Sequence, residues 1–315
     1  MNWFDTTQVG RIQIELTNYC NAFCPQCDRA ELISQYDKWT KRATNNLNNN
    51  HITLQNVKDW FGPYDWDNLR FIHYCGNVDE PTINPEMIEI TKWFQTICNP
   101  NTNIGIATNG GTRNEAFWQE LGELSANSRI NVIFGIDGLE DTNHIYRKNV
   151  NWEKLQANFR AFIKAGGKAF WQFIVFAHNE HEVDAIKEEA KRIGVDEVRL
   201  KTAQVYDYEN GNELIPSIDK YSRYYQKKDG TWGVKNKMIN SCWRMWQGCV
   251  ITWDGGIVPC CFDKDATHQL GQLAESDFKS IWQGQKYQGF RQSILKSRSE
   301  IEICKNCTEG TKVWK

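Results

Sequence analysis

The sequence lacks several features that would place the chain outside an ordinary soluble fold. Its 315 residues contain no apolar run of the roughly eighteen or more residues that a membrane-spanning helix needs. The opening stretch, Met1-Asn-Trp-Phe-Asp-Thr-Thr7, has neither the basic region nor the apolar core of a secretory signal, so a cytoplasmic location is expected. Charge of one sign is scarce as well. A formal net charge of −2 provides no basic field for nucleic acid, and neither a nucleic-acid partner nor a membrane is expected. One further shortage is local: the cysteine-rich loop near the N-terminus has three thiols and no fourth.

Hydrophobic residues at 40% and charged residues at 24% are ordinary for a globular protein, and the length suits one large α/β domain with a smaller appendage. The eleven cysteines, in a reducing compartment, read as metal ligands before disulfides. Fourteen tryptophans read as core and interface packing.

From residue 11 to about 202, strand-like and helix-like segments alternate, the pattern of repeated βα units on a parallel sheet. Strands are expected at 11–16, 69–74, 103–107, 130–136, 170–176 and 195–200, with helices at 54–61, 85–97, 115–125, 152–165 and 182–193. An Asn-rich, polar stretch at 40–50 reads as a mobile excursion. Residues 203–241 form a polar connector, after which cysteines become dense and the βα rhythm stops. The expected division is therefore 1–202 for the barrel, 203–241 for the connector and 242–315 for a small cysteine-bearing domain.

The loop after the first strand reads Leu16-Thr-Asn-Tyr-Cys20-Asn-Ala-Phe-Cys24-Pro-Gln-Cys27. A cubane iron-sulfur cluster is usually held by four cysteines, so three thiolates leave one iron open for a substrate or cofactor. The alternative is structural zinc, which prefers four closed ligands, commonly in CxxC pairs.

This CxxxCxxC loop resembles that of the radical SAM superfamily. The resemblance implies a partial (β/α)6 TIM-like barrel and a 4Fe-4S cluster on Cys20, Cys24 and Cys27 whose open iron chelates S-adenosylmethionine. It extends to the turn Gly76-Asn-Val-Asp-Glu-Pro81, similar to the GGEP-like turn that meets the SAM amino group, with Glu80 as the acid and Gly76 in the backbone. Asp79 departs from the pattern, since the family has a small residue there. Thr108-Asn109-Gly110 resembles the TNG motif that lines the cavity after the third strand. Asp137-Gly138 followed by Tyr146-Arg147 resembles a "DG…YR" pattern, in which Arg147 could pair the SAM carboxylate; the competing reading is a surface arginine.

A second cysteine field follows, with thiols at 242, 249, 260, 261, 304 and 307 around the turn Trp253-Asp254-Gly255, which suits a tight two-residue hairpin connection. The field resembles the Twitch form of the SPASM/Twitch extension, a β-hairpin and helix around one auxiliary 4Fe-4S cluster. That resemblance selects Cys242, Cys260, Cys304 and Cys307 as ligands and leaves Cys249 as an alternative to Cys242. Zinc is also chemically possible there.

As the resemblance implies, the enzyme would cleave SAM reductively to a 5′-deoxyadenosyl radical and abstract a substrate hydrogen, the auxiliary cluster accepting an electron. Partners would be a small-molecule or peptide substrate and an external one-electron donor such as flavodoxin or ferredoxin. The ten residues before the first strand tilt the expectation toward a small substrate or a peptide delivered by another protein. A different class, a non-catalytic metal-binding scaffold that keeps the barrel, predicts loss of the SAM-cleft residues.

Overall fold

A computed structural model describes residues 9–27, 51–74, 78–235 and 238–307. Strand β1 (Arg11–Ile14) alternates fully buried Ile12 and Ile14 with half-buried Arg11 and Gln13, a two-residue period that gives an extended chain one apolar face. β2 (Phe71–Tyr74), β3 (Asn103–Thr108), β4 (Ile130–Gly135), β5 (Ala169–Val175) and β6 (Glu197–Thr202) add to it in sequence order, all parallel. The connections carry α1 (Leu54–Phe61), α2 (Met87–Ile97), α3 (Glu115–Ala126), the one-turn α4 (Asn143–Tyr146), α5 (Trp152–Lys164) and α6 (Val183–Ile193). Together they form the partial (β/α)6 barrel that the sequence pattern anticipates.

Local chemistry sets the helix ends. Side chains of Thr53, Asn114 and Asn151 accept the backbone N–H groups of Asn56, Phe117 and Lys154, covering donors that a first turn leaves open. At the other end of α6, Gly194 adopts a left-handed φ of 84° and the Val195 N–H returns to the Ala190 carbonyl at 2.9 Å. This cap consumes Val195, which is why β6 begins at Glu197 and not at the expected 195.

Between sheet and helices, Phe134 and Phe159 pack at 4.4 Å between ring centres, beside fully buried Trp118 and Trp171. Both indoles donate, Trp118 to the Thr112 carbonyl and Trp171 to that of Ile136. These tryptophans serve packing, as composition suggested.

The connector is more structured than its polarity implies. Within it β7 (Tyr224–Gln226) and β8 (Trp232–Val234) form a separate antiparallel pair, and the fully buried Tyr224 donates its hydroxyl to the Val205 carbonyl at 2.9 Å. After it come α7 (Arg244–Gln247), β9 (Gly248–Ile251), β10 (Gly256–Val258), β11 (Gly271–Gln272), α8 (Phe278–Gln283) and α9 (Gln285–Ser297).

β9 lies parallel to β1, with Arg11 opposite Gly248 and Ile14 opposite Ile251, so the hairpin extends the barrel's own sheet into nine strands in the order β11-β10-β9-β1-β2-β3-β4-β5-β6. The hairpin turn differs from the expected two-residue connection. Thr252 and Gly256 close it with a 2.8 Å bond from the Thr252 N–H to the Gly256 carbonyl, leaving a three-residue loop whose Gly255 has φ +83°. A type I turn followed by a left-handed residue produces this geometry, and glycine occupies that place without strain. Among the described residues no helix is long and apolar enough to cross a membrane.

Candidate active site and auxiliary cysteine centre

Chain direction places the loop after β1 at the C-terminal end of the parallel strands, where barrel enzymes gather their reactive groups. Cys20, Cys24 and Cys27 there line one cavity of about 280 Å³ together with Glu80, Asn109 and Arg147. The loop is held in place by its neighbours. The Phe23 N–H donates to the Lys148 carbonyl at 2.9 Å, and Asn109 Nδ2 donates to Asn21 Oδ1 at 2.8 Å while facing Cys20 Sγ at 3.7 Å.

Glu80 is fully buried between the ends of β1 and β3. Its Oε1 accepts the hydroxyls of Thr82 and Thr108, each at 2.6 Å, and its Oε2 accepts the Asn109 N–H at 2.7 Å. Burial pushes this carboxyl above its usual range, and the same hydrogen bonds pull it back. Glu80 from one motif and Thr108 and Asn109 from another thus form one network. Gly110 continues it with a φ of 71°, a left-handed turn that lets its N–H reach Thr108 Oγ1 at 2.9 Å. The departure at Asp79 has a structural reading: its Oδ2 accepts the Leu16 N–H at 3.0 Å and fastens the turn to the end of β1. Gly76, like Cys75 and the stretch 40–50, lies outside the described residues.

Arg147 is no surface arginine. Its Nε donates to Asp137 Oδ2 at 2.7 Å, and its Nη1 faces Cys24 Sγ at 3.9 Å. Asp137 has no solvent exposure and also accepts the Ile174 N–H at 2.7 Å. Gly135 makes room for the guanidinium, because a Cβ there would lie 2.6 Å from Arg147 Nη2. Burial, followed by the Glu80 charge, pushes the Cys20 thiol up to about 12; burial also raises Cys24, with the Arg147 charge opposing it. Such thiols ionise on meeting a metal, which links binding to proton release.

The second centre is assembled from separate segments. Cys242 precedes α7, Cys260 follows β10, and Cys304 and Cys307 bracket the turn after α9; all four line a single apolar cavity with Met245, Phe290 and Ile294. Cys249 is elsewhere, inside β9 opposite Ile12 and packed into the barrel core. Cys261 lines an adjoining crevice with Cys249. Burial pushes Cys260 well above the usual thiol value, and the neighbouring Cys261, Cys304 and Cys242 add to the shift. Cys98 is far from either centre in the chain's architecture, at the end of α2 beside a cavity of about 580 Å³ at the opposite end of the strands.

Sequence reasoning missed two residues here. Arg298 is 3% exposed, and its Nη2 points at Cys307 Sγ, 3.4 Å away. Asn306, inside the CxxC turn, donates Nδ2 to the Val205 carbonyl at 2.9 Å, and its Oδ1, 3.0 Å from the Tyr224 hydroxyl, shares that one proton with the Val205 carbonyl, docking the turn on the connector. The residue type between the cysteines was the available signal for Asn306; nothing local marked Arg298.

The loop cavity offers three thiols and the C-terminal cavity four, donor chemistry that fits an iron-sulfur cluster at each centre and that structural zinc would share only where the set is four.

The family described as the radical SAM superfamily matches residues 14–201, well over half the chain. The chain belongs to the radical SAM superfamily. A second family, the SPASM iron-sulfur cluster-binding domain, matches residues 242–308. For this radical SAM protein the two matches imply a catalytic 4Fe-4S cluster, an auxiliary cluster and SAM. No curated protein sequence matches it. Among solved structures, Streptococcus suis SuiB bound to S-adenosylmethionine aligns with TM-score 0.65 at 14% identity, covering 98% of this chain and 74% of SuiB. BtrN in complex with AdoMet and 2-DOIA aligns with TM-score 0.50 at 14% identity over 96% of this chain and 93% of BtrN. The protein anSMEcpe with bound AdoMet and the Cp18Cys peptide aligns with TM-score 0.56 at 16% identity over 95% of this chain and 87% of its own. At these identities the likeness is one of fold.

Proposed function

We propose that this protein is a radical SAM enzyme in which Cys20, Cys24 and Cys27 hold the catalytic cluster, and Cys242, Cys260, Cys304 and Cys307 hold the auxiliary one. The carrying observation is the convergence of the three loop thiols with Glu80, Asn109 and Arg147 on one cavity at the C-terminal ends of the strands. When bound, the catalytic cluster and SAM supply a 5′-deoxyadenosyl radical that takes a substrate hydrogen, and the auxiliary cluster supplies a place for one electron.

The chain's own residues supply position and charge. Asn109 and Arg147 face Cys20 and Cys24, fixing the thiols that would carry iron. Arg147, balanced by Asp137, offers its remaining donors to the SAM carboxylate, a geometry that suits a guanidinium fork. Glu80 and the backbone at Gly76 take the SAM amino group, with Thr108 and Asn109 holding the Glu80 carboxylate in place. At the C-terminal centre Cys242 is favoured over Cys249 because only Cys242 shares a cavity with the other three.

The substrate is a small molecule or a peptide, and an external one-electron donor of the flavodoxin or ferredoxin kind feeds the site. The peptide held by anSMEcpe supports the second substrate class. The proposed division is a barrel at 1–202, a connector at 203–241 and the auxiliary domain at 242–315.

The test is iron, sulfide and zinc per chain after anaerobic reconstitution, comparing wild type with the Cys20/Cys24/Cys27→Ala triple variant. The expected result is about eight irons falling to about four. About four irons falling to none, with zinc retained, would make the C-terminal centre structural. Absence of SAM cleavage under dithionite in the fully loaded protein would leave a metal-binding scaffold.

A further inference from the structure

We propose that Arg298 is a positioning residue of the C-terminal centre, whose buried positive charge makes a cluster held by Cys242, Cys260, Cys304 and Cys307 easier to reduce. The proposal rests on the reading that these four thiols hold such a cluster.

Arg298 follows directly on α9, and the fold turns its side chain inward. Nη1 donates to the Ser241 carbonyl at 2.5 Å, Nη2 points at Cys307 Sγ at 3.4 Å, and the backbone N–H is held by Asn240 Oδ1 at 3.0 Å. The guanidinium lines the four-cysteine cavity, and its Nε is a buried donor with no hydrogen-bond partner. Its charge acts on Cys242, Cys304 and Cys307 together. A buried donor left unpaired is costly, and so is a buried cation without an anion. Among the described residues no carboxylate lies within ion-pair distance of Arg298. Among the described residues the groups that can balance it are the sulfurs.

The N-terminal centre provides the contrast. There, Arg147 also faces a cysteine sulfur, yet Asp137 lies 2.7 Å from its Nε and cancels its charge. Cluster potential responds to net charge and to hydrogen bonds at sulfur. One-electron reduction adds a negative charge, which a fixed cation with no carboxylate beside it among the described residues favours. At the C-terminal centre the arginine charge therefore favours the reduced state, whereas at the N-terminal centre Asp137 offsets it. Arg244 also lines this cavity, stacked on the Trp243 ring at 4.9 Å, and its retained charge adds to that of Arg298 at Cys242.

The experiment is a dithionite redox titration followed by electron paramagnetic resonance, in full-length protein carrying the Cys20/Cys24/Cys27→Ala substitutions so that only the C-terminal cluster reports. Arg298→Gln, which keeps a donor and loses the charge, is expected to shift the reduction equilibrium about tenfold toward the oxidised form, about 59 mV for one electron. Arg298→Lys, which keeps the charge, is expected to restore more than half of that. A loaded Gln variant at the wild-type potential overturns the proposal. If the Gln variant does not load, the Lys variant decides: a potential near wild type supports the charge effect, and a tenfold shift despite the retained charge overturns it. Absence of iron from the C-terminal centre of the parent protein removes the reading beneath as well.

Discussion

Each cysteine centre keeps an arginine against a sulfur, half-buried Arg147 at one and buried Arg298 at the other, and the two are treated in opposite ways. At the N-terminal centre the guanidinium of Arg147 is tied to Asp137, itself fully buried and held by the Ile174 N–H. At the C-terminal centre the guanidinium of Arg298 is held by a neutral carbonyl and faces a thiol, with no carboxylate beside it among the described residues. The first pairing uses the arginine as a rigid, charge-balanced fixture with donors to spare for an anionic ligand. The second leaves the charge to be felt by whatever the thiols bind. One residue type thus does different work according to whether a carboxylate stands behind it.

The comparison breaks most sharply at the loop cysteines. Cys24→Ala is expected to abolish SAM cleavage, measured as 5′-deoxyadenosine, while the C-terminal centre keeps its iron; retained cleavage would sink the proposed active site. Next in size is a test of which thiols belong to the second centre. Cys242→Ala should lose about four irons per chain, as expected for removal of one ligand of a four-cysteine cluster, whereas Cys249→Ala should keep its iron count. Equal losses from both variants would erase the distinction between cavity and core. The finest probe is Asp137→Asn, which leaves Arg147 without its counter-ion. It is expected to destabilise the cluster-free protein by about 3–5 kcal/mol in urea unfolding, the range for breaking a buried ion pair. An unchanged midpoint would mean that Arg147 is no better compensated than Arg298.

The parts of this picture legible in the sequence are those encoded within a few neighbouring residues. The three loop cysteines and the alternation around Ile12 and Ile14 are local, and the structure keeps them together. Glu80 and the Thr108-Asn109 pair were visible as two separate strand-end motifs, but their hydrogen-bond network needed β2 and β3 side by side. The choice between Cys242 and Cys249 was open because nothing local separates two cysteines so near the same hairpin; the register that sets Cys249 opposite Ile12 and packs it in the barrel core comes only from long-range pairing. Arg298 stands in a run, Lys296-Ser-Arg-Ser-Glu300, that reads as an ordinary solvated helix end, and only long-range packing buries it. The connector's polar composition likewise concealed Tyr224, whose few contacts at Val205 and Asn306 carry no periodic signal.

The pairing of β9 with β1 sets the order in which the protein can be completed. Until residues 248–251 have left the ribosome, one side of β1 remains an open edge, with backbone groups available to any passing strand. Its proper partner is separated from it by nearly the whole barrel, and so this is among the most entropically expensive contacts in the chain to close. The loop bearing Cys20, Cys24 and Cys27 grows directly out of that edge. A chain cut at 241 would keep every strand of the six-stranded barrel and still expose this edge, making it prone to self-association at a place that β9 covers in the intact protein.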